Sequence, residues 1–281
     1  MKLGFKVNFI EDIEGYSSKL KPLGFDFMEV SAPYEEDPDY ATAIIRIARK
    51  YCLGVSVHGN YGDEANIASY SPLLRNIGLD RIKKDIEFAA LVGAGIVTVH
   101  PGQMGGCFQL KEGHPLYDDQ AVAENAMKDD AIKALAASLR IIDDFAGQRG
   151  IKIGIENMCL PCHPIRLVED IEYLFSLYEF KNIGITLDTG HALVMGIEPS
   201  IFVRTFGKRI IHTHVHWNDG HHDLHLPPCS CIRGIRMDMK QFSRFIECLN
   251  LYLHGCPIIF EMLPRSIDEY KICWENIQTI L

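Results

Sequence analysis

Histidine, aspartate and glutamate hold divalent cations and move protons, and in this 281-residue chain they recur at one kind of place. His58, His100, Glu156, Asp188, His216 and Glu261 each fall at the end of a short run rich in Val, Ile and Leu. His191 follows in Asp188-Thr189-Gly190-His191, and Asp223-Leu224-His225 lies beyond His216. A single strand-end histidine is ordinarily a satisfied polar residue. So many carboxylates and imidazoles on one rim would instead desolvate and repel one another, at several kcal/mol per buried charge. Divalent cations remove that penalty, and imidazole with carboxylate suits zinc, manganese, iron or cobalt.

The elements that must position these groups follow from the apolar runs. They span residues 3–9, 25–31, 54–60, 95–100, 151–157, 183–188, 210–216 and 257–262, separated by helix-length segments. Regular alternation of strand and helix implies a parallel sheet, and eight strands close a barrel. The expected fold is one α/β domain over residues 1–281, a (β/α)₈ TIM barrel with its metal site at the C-terminal face of the strands. A helix is expected over 80–94, with a stripe of Ile82, Ile86, Ala89, Ala90 and Val92, and another over 121–147 ending at Gly147. Residues 101–120 carry Gly102, Gly105, Gly106 and Gly113 and read as a long loop over the fourth strand.

Strand parity sharpens the expectation, because successive residues point to opposite faces. Ile151, Ile153 and Ile155 oppose Lys152, Gly154 and Glu156; Ile183, Ile185 and Leu187 oppose Gly184, Thr186 and Asp188; Ile211, Thr213 and Val215 oppose His212, His214 and His216. The apolar rows suit an outer layer of helices. The small and polar rows then line the interior, each ending at the rim where barrel enzymes keep their chemistry. Lys6 and Asn8, in the inward row of the first strand, are candidates to bind a substrate anion, with an interior structural pair as the alternative.

Composition bounds the functional classes. The chain is 47% hydrophobic and 23% charged, and no segment approaches the roughly 18–20 apolar residues of a membrane span. A cytoplasmic location and a small-molecule partner are expected, with no membrane partner. The net charge of −9, with no run of Lys and Arg, argues against an extended nucleic-acid footprint. Nine cysteines, an odd number, point away from a pure disulfide framework. Cys159-x-x-Cys162 and Cys229-x-Cys231 read as loop thiols, or alternatively as a second four-thiolate site or redox clasp. Cys52, Cys248, Cys256 and Cys273 read as core thiols.

Certain stretches are familiar: Val99-His100-Pro101-Gly102, Ile155-Glu156-Asn157, Leu187-Asp188-Thr189-Gly190-His191-Ala192, His216-Trp217-Asn218-Asp219 with Asp223-Leu224-His225, and Phe260-Glu261. Through these the chain resembles, over nearly its whole length, the endonuclease IV/xylose isomerase-like superfamily, which includes AP endonuclease family 2 and the sugar isomerases and epimerases. The resemblance implies up to three zinc ions. His58, His100 and Glu156 would hold a first, Glu156, Asp188, His216 and Glu261 a second with Glu156 bridging, and His191, Asp223 and His225 a third. His221 or His222 could replace His225.

Isomerases and epimerases of the superfamily use a single metal, Mn²⁺ or Co²⁺ among others, on the residues matching Glu156, Asp188, His216 and Glu261. They have no need of His58, His100 or the Asp223/His225 pair. That excess favours a phosphoester hydrolase, with a metal-dependent sugar or sugar-phosphate isomerase or epimerase as the alternative; Glu156 and Glu261 are the catalytic candidates in both. Residues 31–37 and 8–14 carry acidic side chains where endonuclease IV proteins have DNA-probing loops, so a small phosphodiester is expected rather than DNA. The sequence carries no signal for the oligomeric state.

Overall fold

Gly154 meets the Thr186 side chain so closely that a Cβ would collide with it. That contact lies inside a closed eight-stranded parallel barrel, with each strand paired to its neighbours in chain order and β8 to β1. The computed structural model describes residues 2–7, 12–104, 117–228, 239–253, 255–263 and 266–280, with side chains of 117–126 excepted. Asn8, Cys229 and Cys231 therefore lie outside the described residues.

The strands are β1 (Lys2–Val7), β2 (Phe25–Ser31), β3 (Gly54–His58), β4 (Ile96–Val99), β5 (Lys152–Glu156), β6 (Ile183–Asp188), β7 (Ile210–Val215) and β8 (Pro257–Phe260). Around them run α1 (Ile13–Leu20), α2 (Pro38–Tyr51), α3 (Pro72–Val92), α4 (Tyr117–Gly147), α5 (Val168–Leu177), α6 (Thr189–Val194), α7 (Pro199–Phe206), α8 (Met239–Tyr252) and α9 (Ile267–Ile280). Ile153, Ile155, Ile185 and Leu187 are buried in the layer between strands and helices, as parity required. No helix among the described residues is long and apolar enough to cross a membrane.

Helix α3 starts eight residues before the expected position, and the reason is local. Ser71 caps it, its hydroxyl accepting from the Leu74 amide, and Pro72 takes the first turn, where its missing N–H costs nothing. Within it, Gly78 lets the helix approach the Asn66 backbone, which a Cβ would meet at 2.9 Å. Ala90, expected in the buried stripe, is exposed, whereas Asp85 is buried. The helix expected over 121–147 begins at Tyr117 and ends at Gly147, so the last residues assigned to the long loop are helical. Cys52 is also a correction: it is exposed, ending α2 in the left-handed region with φ 51°, and belongs to no core.

Asp85 ties α3 to the turn that follows His58. Its Oδ2 accepts from the Asn60 amide at 2.8 Å and its Oδ1 from Asn60 Nδ2 at 2.7 Å. Burial lifts its carboxyl from 3.8 to about 6. The folded value thus lies above the unfolded one, and stability present below about pH 4 is lost as pH rises through about 6, by roughly 2–3 kcal/mol. Asp85→Asn should flatten that slope, which denaturant unfolding at pH 4 and pH 7 would reveal. An unchanged slope would assign the pH dependence to other groups.

Candidate metal centre

The barrel delivers its functional side chains by parity and by strand ends. Glu156 closes β5, buried to 1% exposure, with Oε1 3.0 Å from His214 Nδ1 and Oε2 3.2 Å from His100 Nε2. His58, at the end of β3, places Nε2 3.9 Å from the same Oε2, and its Nδ1 contacts the Gly59 carbonyl at 2.9 Å. Exposed Tyr61 stacks on the His100 ring, with centroids 5.1 Å apart. His58, His100 and Glu156 therefore bring together three donor atoms, and His58 also comes within reach of His214 and Glu261.

Asp188 ends β6 and caps α6, its Oδ1 accepting from the His191 amide at 2.7 Å. The Asn157 side chain ties β5 to β6 here, donating to the Asp188 carbonyl and accepting from its amide. His191 is buried; its Nδ1 meets the Asn157 carbonyl at 2.8 Å and its Nε2 lies 3.2 Å from Asp223 Oδ2. His225 Nε2 is 3.3 Å from the same oxygen, and its ring stacks on that of His216 with centroids 3.9 Å apart. His191, His216, Asp223 and His225 form one group, and Glu156, Asp188, His214 and Glu261 another. The partition thus departs from the expected one: His214 stands with the two glutamates, where His216 was expected. His222 is exposed and bonded to Asp219, away from both groups.

Lys6 makes an interior ion pair: its Nζ bonds Glu261 Oε1, and it is 5% exposed. Sequence reasoning passed over Glu29, His212 and His214, all fully buried. Parity had put both histidines in the inward row, and a glutamate inside Phe27-Met28-Glu29-Val30 was a visible signal. It also passed over His163, buried in the loop after β5 with Nδ1 unpartnered. Cys159 is buried and Cys162 half-buried, both free thiols; burial pushes the Cys159 thiol up to about 12, and Asp223 adds to it. Asp12 and Asp37 cap α1 and α2, and Glu14, in the first turn of α1, pairs with Arg46 and Lys50.

The electrostatics are those of a crowded cluster. Burial would raise the Glu156 and Glu261 carboxyls, but His214 beside the first and Lys6 beside the second hold them well below the usual range. Burial would lower His191, yet Asp188, Asp223 and Glu156 together lift it to about 10. His58 goes the other way, to about 3, through burial and the nearby Lys6. Glu156 Oε2 and Glu261 Oε2 are buried with no hydrogen-bond partner. Buried carboxylate oxygens without donors, facing imidazoles, form a donor set that fits a divalent cation.

Proteins of similar sequence and fold agree with this architecture. An uncharacterised protein of Methanocaldococcus jannaschii is 28% identical over 240 residues, covering 84% of this chain and 81% of its own length. Among solved structures, a D-tagatose 3-epimerase-like protein superposes with a TM-score of 0.76 at 25% identity, covering 100% of this chain and 98% of that one. The 3-keto-D-glucoside 4-epimerase of E. coli superposes at 0.70 with 18% identity, covering 100% and 98%. Residues 18–273 match the family described as xylose isomerase-like TIM barrel, and the chain belongs to that family.

Proposed function

We propose that this chain is a divalent-metal-dependent isomerase or epimerase of sugars or sugar phosphates. The observation that carries this reading is the pair of buried glutamates, Glu156 from β5 and Glu261 after β8, converging on one imidazole at 3.0 and 2.8 Å. Glu156, Asp188 and Glu261, with an imidazole from β7 or its end, would hold the ion. When bound, it polarises the substrate carbonyl and so acidifies the neighbouring C–H. One glutamate then takes a proton from that carbon, and the other returns one to the opposite face or to the adjacent carbon. Lys6 keeps Glu261 ionised, and the imidazoles do the same for Glu156, so either can act as the base, and the one that donates first takes up a proton from solvent. Tyr61, exposed beside His100, offers an apolar face to a sugar ring. The similarity to a D-tagatose 3-epimerase-like protein supports the same class.

A second reading, hydrolysis of a small phosphodiester on a zinc cluster, draws on one observation. The groups His58/His100/Glu156 and His191/His216/Asp223/His225 exceed what a one-metal enzyme needs. This reading ranks second because the two solved structures named are an epimerase and an epimerase-like protein.

The deciding experiment incubates Mn²⁺- or Co²⁺-loaded protein with a panel of ketoses and ketose phosphates in D₂O. The expected result is solvent deuterium at the carbon next to the carbonyl, together with a new epimer or isomer, read by NMR. No exchange on any member, with cleavage of bis(p-nitrophenyl) phosphate by zinc-loaded protein, would replace this reading by the hydrolase.

A further inference from the structure

We infer that His214, backed by Glu29, supplies the imidazole of the metal position formed by Glu156, Asp188 and Glu261, and that His216 serves the neighbouring group of His191, Asp223 and His225. The inference rests on the metal-dependent reading above and assigns that site's nitrogen donor. His214 Nδ1 lies 2.8 Å from Glu261 Oε2, 3.0 Å from Glu156 Oε1 and 4.0 Å from Asp188 Oδ2. His216 keeps different company. Its Nε2 lies 3.0 Å from Asp188 Oδ2 and 4.0 Å from Asp223 Oδ1, and its ring stacks on His225. Gly190 fixes that placement, since a Cβ there would collide with the His216 ring. Asp188 stands between the two groups and reaches both.

The far side of each ring separates them further. A metal-bound imidazole commonly has its second nitrogen against a carboxylate or carbonyl, which sets the tautomer and the ring plane. His214 Nε2 lies 2.8 Å from Glu29 Oε1, an ion-pair contact although out of line for a hydrogen bond. Glu29 is itself fixed, its Oε2 held by His212 Nε2 at 2.7 Å and by the Ser56 hydroxyl at 3.2 Å. His216 Nδ1, in contrast, is buried without a hydrogen-bond partner. A glutamate kept fully buried beneath the rim has a role if it orients His214. As mere filling it would cost several kcal/mol of desolvation that an apolar residue avoids. Glu29 is thus a positioning residue acting through His214.

Cobalt(II) is the probe, because its visible absorption reports the ligands directly. Wild-type protein, His214→Asn, His216→Asn, Glu261→Gln and Asp223→Asn are each loaded with cobalt, and the ions per chain, affinity and spectrum recorded. His214→Asn is expected to reproduce the lowered count and residual spectrum of Glu261→Gln, and His216→Asn those of Asp223→Asn. If the wild type takes up one ion only, His216→Asn should leave its spectrum unchanged. Should His214→Asn fold poorly, Glu29→Gln keeps the volume and removes the backing charge. It should weaken cobalt binding by about 10–100-fold and shift the spectrum. His216→Asn matching Glu261→Gln, or Glu29→Gln binding cobalt as the wild type does, overturns the inference. A wild type that takes up no cobalt overturns the metal-dependent reading itself, so the two failures are distinct.

Discussion

Glu156→Ala should abolish activity and lower metal uptake more than any other single substitution. Its two oxygens serve different neighbours: Oε1 faces His214 at 3.0 Å and His191 Nδ1 at 3.7 Å, while Oε2 faces His100 at 3.2 Å and His58 at 3.9 Å. No other carboxylate among the described residues stands in both the His58/His100 group and the Asp188/Glu261 group. Its removal takes a ligand from two positions at once and a proton-moving group from the reaction. Loss of acid–base catalysis alone is worth about 10²–10⁴-fold in rate; lost metal adds to that. The measurements are elemental analysis of protein purified without chelator, and turnover on the substrate identified by deuterium exchange. Full metal content in the variant would show that Glu156 does not serve both groups as a ligand.

That the carboxylate of Glu156 sits buried at the rim is legible in the amino-acid order alone, because it closes a strand whose alternate residues are isoleucine and glycine. The same logic located Asp188, and the strand ends located His58, His100 and Glu261. Parity is a backbone property, and it survives translation into three dimensions. Which side chains then share one ion depends on barrel tilt and stagger, and a linear pattern does not encode these. His214 and His216 lie two residues apart in one inward row, and only the closed barrel separates them, placing one against Glu261 and the other over Gly190. Lys6 was ambiguous for a similar reason. An inward lysine can await an anion or neutralise one, and β1 pairs with β8 across the length of the chain. Helix α3 carries Gly78 where it packs against the Asn66 backbone, a tertiary demand that overrides local propensity.

Glu261→Gln and His58→Ala together separate the proposed function from its rival, and the effects expected are large. Glu261 is held between Lys6 and His214, and both keep it ionised. As a proton-moving base it cannot be replaced by an amide, so Glu261→Gln should lower kcat by about 10²–10⁴-fold, whichever sugar proves to be the substrate. His58 moves no proton in that chemistry. Burial and Lys6 push its imidazole down to about 3, so it is neutral near pH 7 and adds no charge to the glutamates. His58→Ala should therefore leave deuterium exchange within a few-fold of the wild type, while a cluster hydrolase deprived of the same donor would lose orders of magnitude. Exchange that collapses in both variants would mean that the group around His58 and His100 takes part in the reaction, and the one-ion isomerase would have to be abandoned.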